Sequence, residues 1–233
     1  MLKYKLLSLI MYLTGFITFV IIAIILIVTG IVFLPLFYKL DKICCRIMML
    51  SLFVWPKFTG VFPKTGTYII MMNHSSFIDV FIFPLIPRGF YSGITALENF
   101  KIPIFSTLIR RIQAIPIERN NRKAAFASIR KAEKVLEQNI HIGILPEGTR
   151  TLNGKLGEFK KGGFHMAINT GTPIIPVGIE GAFDFKPKDR WWMKPGKIKI
   201  NIGMPSDPGS YDTLGVDGLK EYIEQKICAL SGD

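Results

Sequence analysis

Asn73-His74-Ser75-Ser76-Phe77-Ile78-Asp79 brings together the side chains best suited to moving a proton. An imidazole can take a proton from an alcohol near neutral pH, and His74 is one of three histidines in the chain. Asp79 is the nearest carboxylate that could hold it. On one continuous helix a separation of five residues turns through about 500°, leaving the two side chains roughly 140° apart, so the chain has to turn between them if they cooperate. Ser76 predicts such a turn: as an N-cap it places Asp79 at the third helical position, the arrangement of a capping box, with His74 just outside the helix. The plainer reading is a helix start whose carboxylate is favoured by the positive end of the helix dipole.

A second group of polar residues is Pro146-Glu147-Gly148-Thr149-Arg150. The planar fork of Arg150 suits phosphate oxygens, and Gly148 lets the backbone approach an anion closely. The competing reading is an ion pair in an ordinary turn, worth about 0 to 1 kcal/mol if exposed. Lys161-Gly162-Gly163 lacks the spacing and the following Ser or Thr of a nucleotide phosphate loop. Neither His141 nor His165 joins His74 in a ligand pattern, so no catalytic metal is expected. Cys44, Cys45 and Cys228 form no metal-ligand spacing and leave one unpaired, which points to a reducing compartment without a disulfide framework.

The elements that must position these residues read as α/β. Tyr68 to Met72 is a short apolar run of the kind found in a buried parallel strand, and it delivers the His74 stretch directly. Val80 to Leu85 continue as an apolar helix start. Ile94 and Thr95 suggest a further strand, and Ala114 to Arg119 an extended piece. Asn120 or Asn121 can cap a helix to about Gln138 with an apolar stripe of Phe126, Ile129, Ala132, Val135 and Leu136. Ile140 to Leu145 predicts the strand before the Glu147 turn. A helix from Gly163 to Thr170 closed by Gly171, a strand over Pro173 to Ile179, an alternating segment from Lys197 to Ile202 and a terminal helix from Asp217 follow. This order predicts a mostly parallel central sheet flanked by helices, with polar turns collected at the strand ends, so both chemical stretches should face one crevice.

At 233 residues and 49% hydrophobic, the chain has room for one catalytic-size domain and an appendage. A formal net charge of +12 makes an anionic partner the natural expectation, and a mean hydropathy of +0.35 favours lipid over nucleic acid, for which no recognition motif is present. No charged residue occurs from Leu6 to Tyr38, a stretch of about 50 Å as one helix against roughly 30 Å of bilayer hydrocarbon. Gly30 and Pro35 offer a break. We therefore divide residues 1–54 into a membrane-inserted helix from about Leu6 to Thr29 and an interfacial helix from about Leu36 to Val54, with the catalytic domain over 55–233. In the second helix Lys39, Lys42 and Arg46 fall on one face, and Leu40, Ile43, Ile47, Leu50 and Phe53 form an apolar surface. A signal peptide is the alternative for the first helix, but its apolar region is long and no clear cleavage site ends it. Lysines on both sides leave its orientation open, so a hairpin in one leaflet and a true span both stand.

Four stretches agree in order and spacing with one family. The sequence resembles the glycerolipid acyltransferases, most closely the membrane-bound 1-acylglycerol-3-phosphate acyltransferases, which convert lysophosphatidic acid into phosphatidic acid. The His74-to-Asp79 stretch looks like the catalytic block, Ala114 to Arg119 like a second block ending in a substrate-binding arginine, Pro146 to Arg150 like a phosphate and glycerol site, and Thr172 to Val177, with Pro176, like the fourth block, linked with substrate and acyl group. The resemblance runs from about residue 59 to 202. Gln113 stands where the second block often has Gly, and Thr151 where Ser is common after the third.

The resemblance implies a glycerol-3-phosphate acyltransferase-like fold and a catalytic pair of His74 and Asp79. It implies substrate binding by Arg119, Glu147, Gly148, Thr149, Arg150 and Pro176, with Glu147 orienting Arg150 or the glycerol backbone. It implies no cofactor, only acyl-CoA or an acyl carrier protein thioester as co-substrate, and a membrane location with the catalytic domain on the cytoplasmic face. Other acceptors of the family, lysophospholipids or acylated amino-acid lipids, stay open, as do a thioesterase using water at the same site and a non-enzymatic anionic-lipid binding protein.

Overall fold

A computed structural model describes residues 1–118 and 122–232 of the chain. Arg119, together with the Asn120 and Asn121 proposed as caps, lies outside the described residues.

The chain opens with two helices, α1 (Leu2–Val32) and α2 (Leu34–Ser51), separated by extended Phe33 just ahead of Pro35. There follow β1 (Val54–Thr59), β2 (Ile69–Met72), the single turn α3 (Asp79–Ile82), β3 (Tyr91–Ala96), α4 (Phe105–Arg111) and β4 (Ile115–Ile117). The second half holds α5 (Arg122–Leu136), β5 (His141–Ile144), α6 (Gly162–Thr170), β6 (Ile174–Glu180), α7 (Ala182–Phe185), β7 (Gly196–Ile202) and α8 (Tyr211–Ser231). Gly215 interrupts α8 with non-helical backbone, so regular helix begins close to the expected Asp217.

The strands form one sheet in the order β1-β7-β6-β2-β5-β3-β4. Every neighbouring pair is parallel except β6 with β7. β2 is central and wholly buried, and its residues alternate between two cores as a period-2 strand must. Ile70 and Met72 point into a cluster shared with Met11, Leu26, Phe37 and Met49 of α1 and α2. Ile69 and Met71 point the other way, against α5, α6 and α8 through Ala132, Phe164 and Ile223. Burying each such side chain is worth roughly 1.5–3 kcal/mol. The two N-terminal helices are thus packed on one sheet face rather than held away from it.

Three expectations need correction. The second helix stops at Ser51, because Val54–Thr59 forms an edge strand on β7. Pro56 is tolerated there since an edge strand leaves one row of N–H positions unpaired. In α2, Ile43, Ile47 and Leu50 are exposed together with Lys39 and Arg46, but Lys42 turns inward and its ammonium donates to the Pro87 carbonyl. In α5, Phe126 is exposed and stands beside His165, whereas Ile129, Ala132, Val135 and Leu136 are buried as read.

Candidate active site

β2 lies between β5 and β6, all three parallel, so the segments leaving their C-terminal ends must be neighbours. These segments carry His74, Glu147 to Arg150, and Lys186. Asn73 extends the β2–β6 pairing with its side chain: its amide nitrogen donates to the Ile179 carbonyl at 2.9 Å, and its oxygen accepts the Ile179 N–H at 2.7 Å. This fixes the chain one residue before His74.

His74 Nδ1 meets Asp79 Oδ2 at 2.8 Å, with the imidazole 18% exposed and the carboxylate fully buried. The same oxygen accepts the backbone N–H of Ser75 and of Ser76, each at 2.9 Å. An ionised carboxylate accepts only, so Nδ1 carries the proton of this bond, and in the neutral ring Nε2 keeps its lone pair. Nε2 makes no hydrogen bond among the described residues. The turn between the two is therefore real, but it is not the expected capping box. The helix starts at Asp79 itself, and the Ser76 hydroxyl donates instead to the Lys186 carbonyl at 2.8 Å. Only the returning half of the box, carboxylate to backbone N–H, is present.

Glu147 is buried at 5% exposure and places its two oxygens on backbone donors: Oε1 accepts the His74 N–H at 2.6 Å and Oε2 the Gly157 N–H at 2.8 Å. Burial pushes its pKa up, and the two N–H bonds oppose that rise. Gly157 is required by this contact, since a Cβ there would stand 2.8 Å from Oε2. Glu147 thus holds the backbone of the histidine and the following loop; neither bond reaches Arg150.

Gly148 takes a left-handed conformation, φ 71°, and its N–H closes a turn onto the Leu145 carbonyl at 2.9 Å. Thr149 beyond it is exposed and Arg150 half-buried. Thr151 N–H then donates to the His74 carbonyl at 2.9 Å, tying the Arg150 segment to the histidine. Asn73, His74, Ser75, Glu147, Thr151 and Gly154 line a narrow cleft here. Pro176 is placed elsewhere: it is buried inside β6 opposite Met71, with its carbonyl accepting Gly203 N–H at 2.9 Å. A larger recess of about 430 Å³, mostly apolar, lies among Leu97, Phe100, Arg110, Gln113 and Pro116 and does not include the His74–Asp79 pair. Among the described residues no cluster of His, Cys, Asp and Glu is arranged to hold a metal.

Lys186 was not singled out by sequence. It follows β6 by a short helix, and nothing local marks it; only the parallel β2–β6 pairing and the Ser76 bond bring it beside the dyad. A half-buried imidazole held by a buried carboxylate, beside a glycine turn and the cations Arg150 and Lys186, is the construction of a base-assisted group-transfer site on an α/β sheet.

Residues 57–180, more than half of the chain, match the Acyltransferase family, and the chain belongs to that family. It is 32% identical over 158 residues to the 1-acyl-sn-glycerol-3-phosphate acyltransferase of Cocos nucifera, covering 67% of this chain and 50% of that one. To the Borreliella burgdorferi protein of the same name it is 30% identical over 171 residues, covering 73% and 65%. The chain thus spans about half the length of the plant relatives it matches. The crystal structure of the 1-acyl-sn-glycerophosphate (LPA) acyltransferase PlsC from Thermotoga maritima shares the fold, with a TM-score of 0.87 at 24% identity over 98% of this chain and 96% of that one.

Proposed function

We propose that this chain moves a fatty acyl group from an acyl thioester, acyl-CoA or an acylated carrier protein, to the sn-2 hydroxyl of 1-acylglycerol-3-phosphate, giving phosphatidic acid. The observation that carries the reading is the 2.8 Å His74–Asp79 pair, with Nε2 making no hydrogen bond among the described residues. The names of the relatives support the choice of acceptor.

In this reading Nε2 of His74 removes the hydroxyl proton as the oxygen attacks the thioester carbonyl. The tetrahedral intermediate expels the carrier sulfur, which leaves as a thiol with the proton returned from His74. Asp79 holds the tautomer and stabilises the imidazolium. No acyl-enzyme forms. Arg150 binds the phosphate with Gly148 and Thr149 shaping the turn, Glu147 keeps His74 in place, and Arg119 is a further candidate for the phosphate. No cofactor is assigned.

Residues 1–54 serve as the membrane anchor, with the domain over 55–233 on the cytoplasmic face. Helix α1 is long and apolar enough to cross a bilayer and exposes Leu9, Leu13, Phe16, Ile17, Ile24 and Val28. Anionic vesicles should carry the full chain upward in a flotation gradient.

The test of the reaction is a lipid mass profile of products from several lysolipid acceptors with acyl-CoA and acyl carrier protein donors. Phosphatidic acid is expected, with equimolar free thiol. Free fatty acid without acceptor product would instead assign a hydrolase.

A further inference from the structure

The dyad is stitched on both sides to a cation. On one side Thr151 N–H bonds the His74 carbonyl, which seats Arg150 next to the histidine. On the other the Ser76 hydroxyl bonds the Lys186 carbonyl, which seats Lys186 two residues further along the same turn. Phe77 and Phe185 pack ring to ring at 5.9 Å beside that bond, so the approach of the two segments is backed by apolar contact.

Lys186 is half-buried, and among the described residues its Nζ donates to neutral carbonyls only, that of Arg190 at 2.6 Å and that of Pro187 at 3.5 Å. No carboxylate lies within ion-pair distance of it or of Arg150 among the described residues. Arg150 is near enough to act on it: burial comes first, then the Arg150 and Arg190 charges, in depressing the Lys186 pKa, against a smaller opposing effect of Asp189. Arg190 is already used as a staple. Its Nε donates to the Trp192 carbonyl at 3.1 Å, Nη2 to the Phe185 carbonyl at 2.8 Å and to the Asp184 carbonyl, and its plane lies 3.9 Å over the Trp192 ring. The loop that carries Lys186 is thereby held without using the lysine charge against an acid.

Two cations on either side of one turn, neither ion-paired with a carboxylate among the described residues, repel each other, an arrangement that a bound anion relieves. An arginine fork and a lysine point charge are complementary phosphate ligands. We infer that Lys186 is the second cation of the anion site, acting with Arg150 on a phosphate of one of the two substrates. This rests on the acyltransferase reading. The phosphate belongs either to the lysolipid acceptor or to the thiol carrier of the donor.

The experiment compares wild type, Lys186→Gln and Lys186→Arg as full chains in mixed micelles. Gln keeps a neutral donor for the Arg190 carbonyl and removes the charge; equal melting temperatures exclude a loosened loop. Michaelis constants are measured for lysophosphatidic acid and for acyl-CoA, and equilibrium binding of each is measured without its co-substrate. K186Q is expected to weaken one of them about 10- to 100-fold, the worth of one charge-assisted hydrogen bond, with kcat little changed and K186R restoring most of the loss. The weakened substrate names the source: the effect vanishes with monoacylglycerol if the acceptor phosphate is bound, or with an acyl N-acetylcysteamine thioester if the carrier phosphate is bound. Unchanged binding of both, or the same loss with phosphate-free substrates, would overturn the assignment. If wild type transfers no acyl group the functional reading falls, and the binding arm still decides whether Lys186 holds phosphate.

Discussion

Glu147 Oε1 accepts the main-chain N–H of His74 at 2.6 Å, so the carboxylate of one polar block holds the backbone of the other. Its second oxygen does the same for Gly157. Each charge-assisted bond of this kind is worth about 1.5–3 kcal/mol. Glu147→Ala is expected to lower the melting temperature and to cut kcat about 10-fold or more, with Glu147→Gln in between because one acceptor survives. Steady-state kinetics check the split. A rise in the lysophosphatidic acid Michaelis constant at unchanged kcat would instead make Glu147 a substrate ligand.

Asp79→Asn should keep the turn and lose the chemistry. One oxygen, Oδ2, accepts from Ser75 N–H, Ser76 N–H and Nδ1–H together, so an amide oxygen in its place keeps all three bonds and the substitution removes only the charge. The imidazolium that forms when Nε2 takes the proton then has no counter-charge beside it. A fall in kcat of about 10²- to 10⁴-fold is expected with a native melting curve.

Gln113 adopts φ 55°, a left-handed conformation, and its carbonyl accepts the Ser92 hydroxyl at 2.8 Å. The glycine common at this place in the second block relieves a strain of roughly 1–2 kcal/mol for an L side chain, partly offset by the extra freedom of glycine in the unfolded chain. Gln113→Gly is expected to raise the melting temperature by about 2–4 °C. Calorimetry of the two proteins is the check.

His141 has a structural role. Its Nδ1 accepts Tyr68 N–H at 3.1 Å and its Nε2 donates to the Arg88 carbonyl at 2.7 Å, so the fold requires the neutral ring. Burial is the main cause that lowers its pKa below 6.5. A depressed folded-state value means that its contribution is complete above pH 6.5 and is lost as pH falls from there through the folded pKa. Wild type is expected to lose stability below pH 6.5 more steeply than His141→Gln, by at most about 1.4 kcal/mol per pH unit. Denaturant melts from pH 7.5 to 5 measure the difference in slope.

What could be read from sequence was local. The apolar run into Asn73-His74, the glycine turn at Gly148 and the Gly171 helix end each carry their own physical signal, and the structure places all of them as read. The fate of Ser76 was not legible, because its hydroxyl is claimed by the carbonyl of a residue 110 positions away. Nor was the role of Glu147, whose partners are backbone N–H groups that look alike in every sequence. β1 escaped notice because Pro56 and Lys57 hide an edge strand, and Lys42 because its inward turn depends on the Pro87 carbonyl.

The central claim is that His74 Nε2 is the base for acyl transfer. The most direct measurement is the turnover of the purified full chain and its His74→Ala variant with lysophosphatidic acid and an acyl thioester, alongside acceptor binding. The expected result is a loss of about 10²- to 10⁴-fold in kcat with lysophosphatidic acid bound as tightly as before. Turnover equal to wild type in the alanine variant would contradict it.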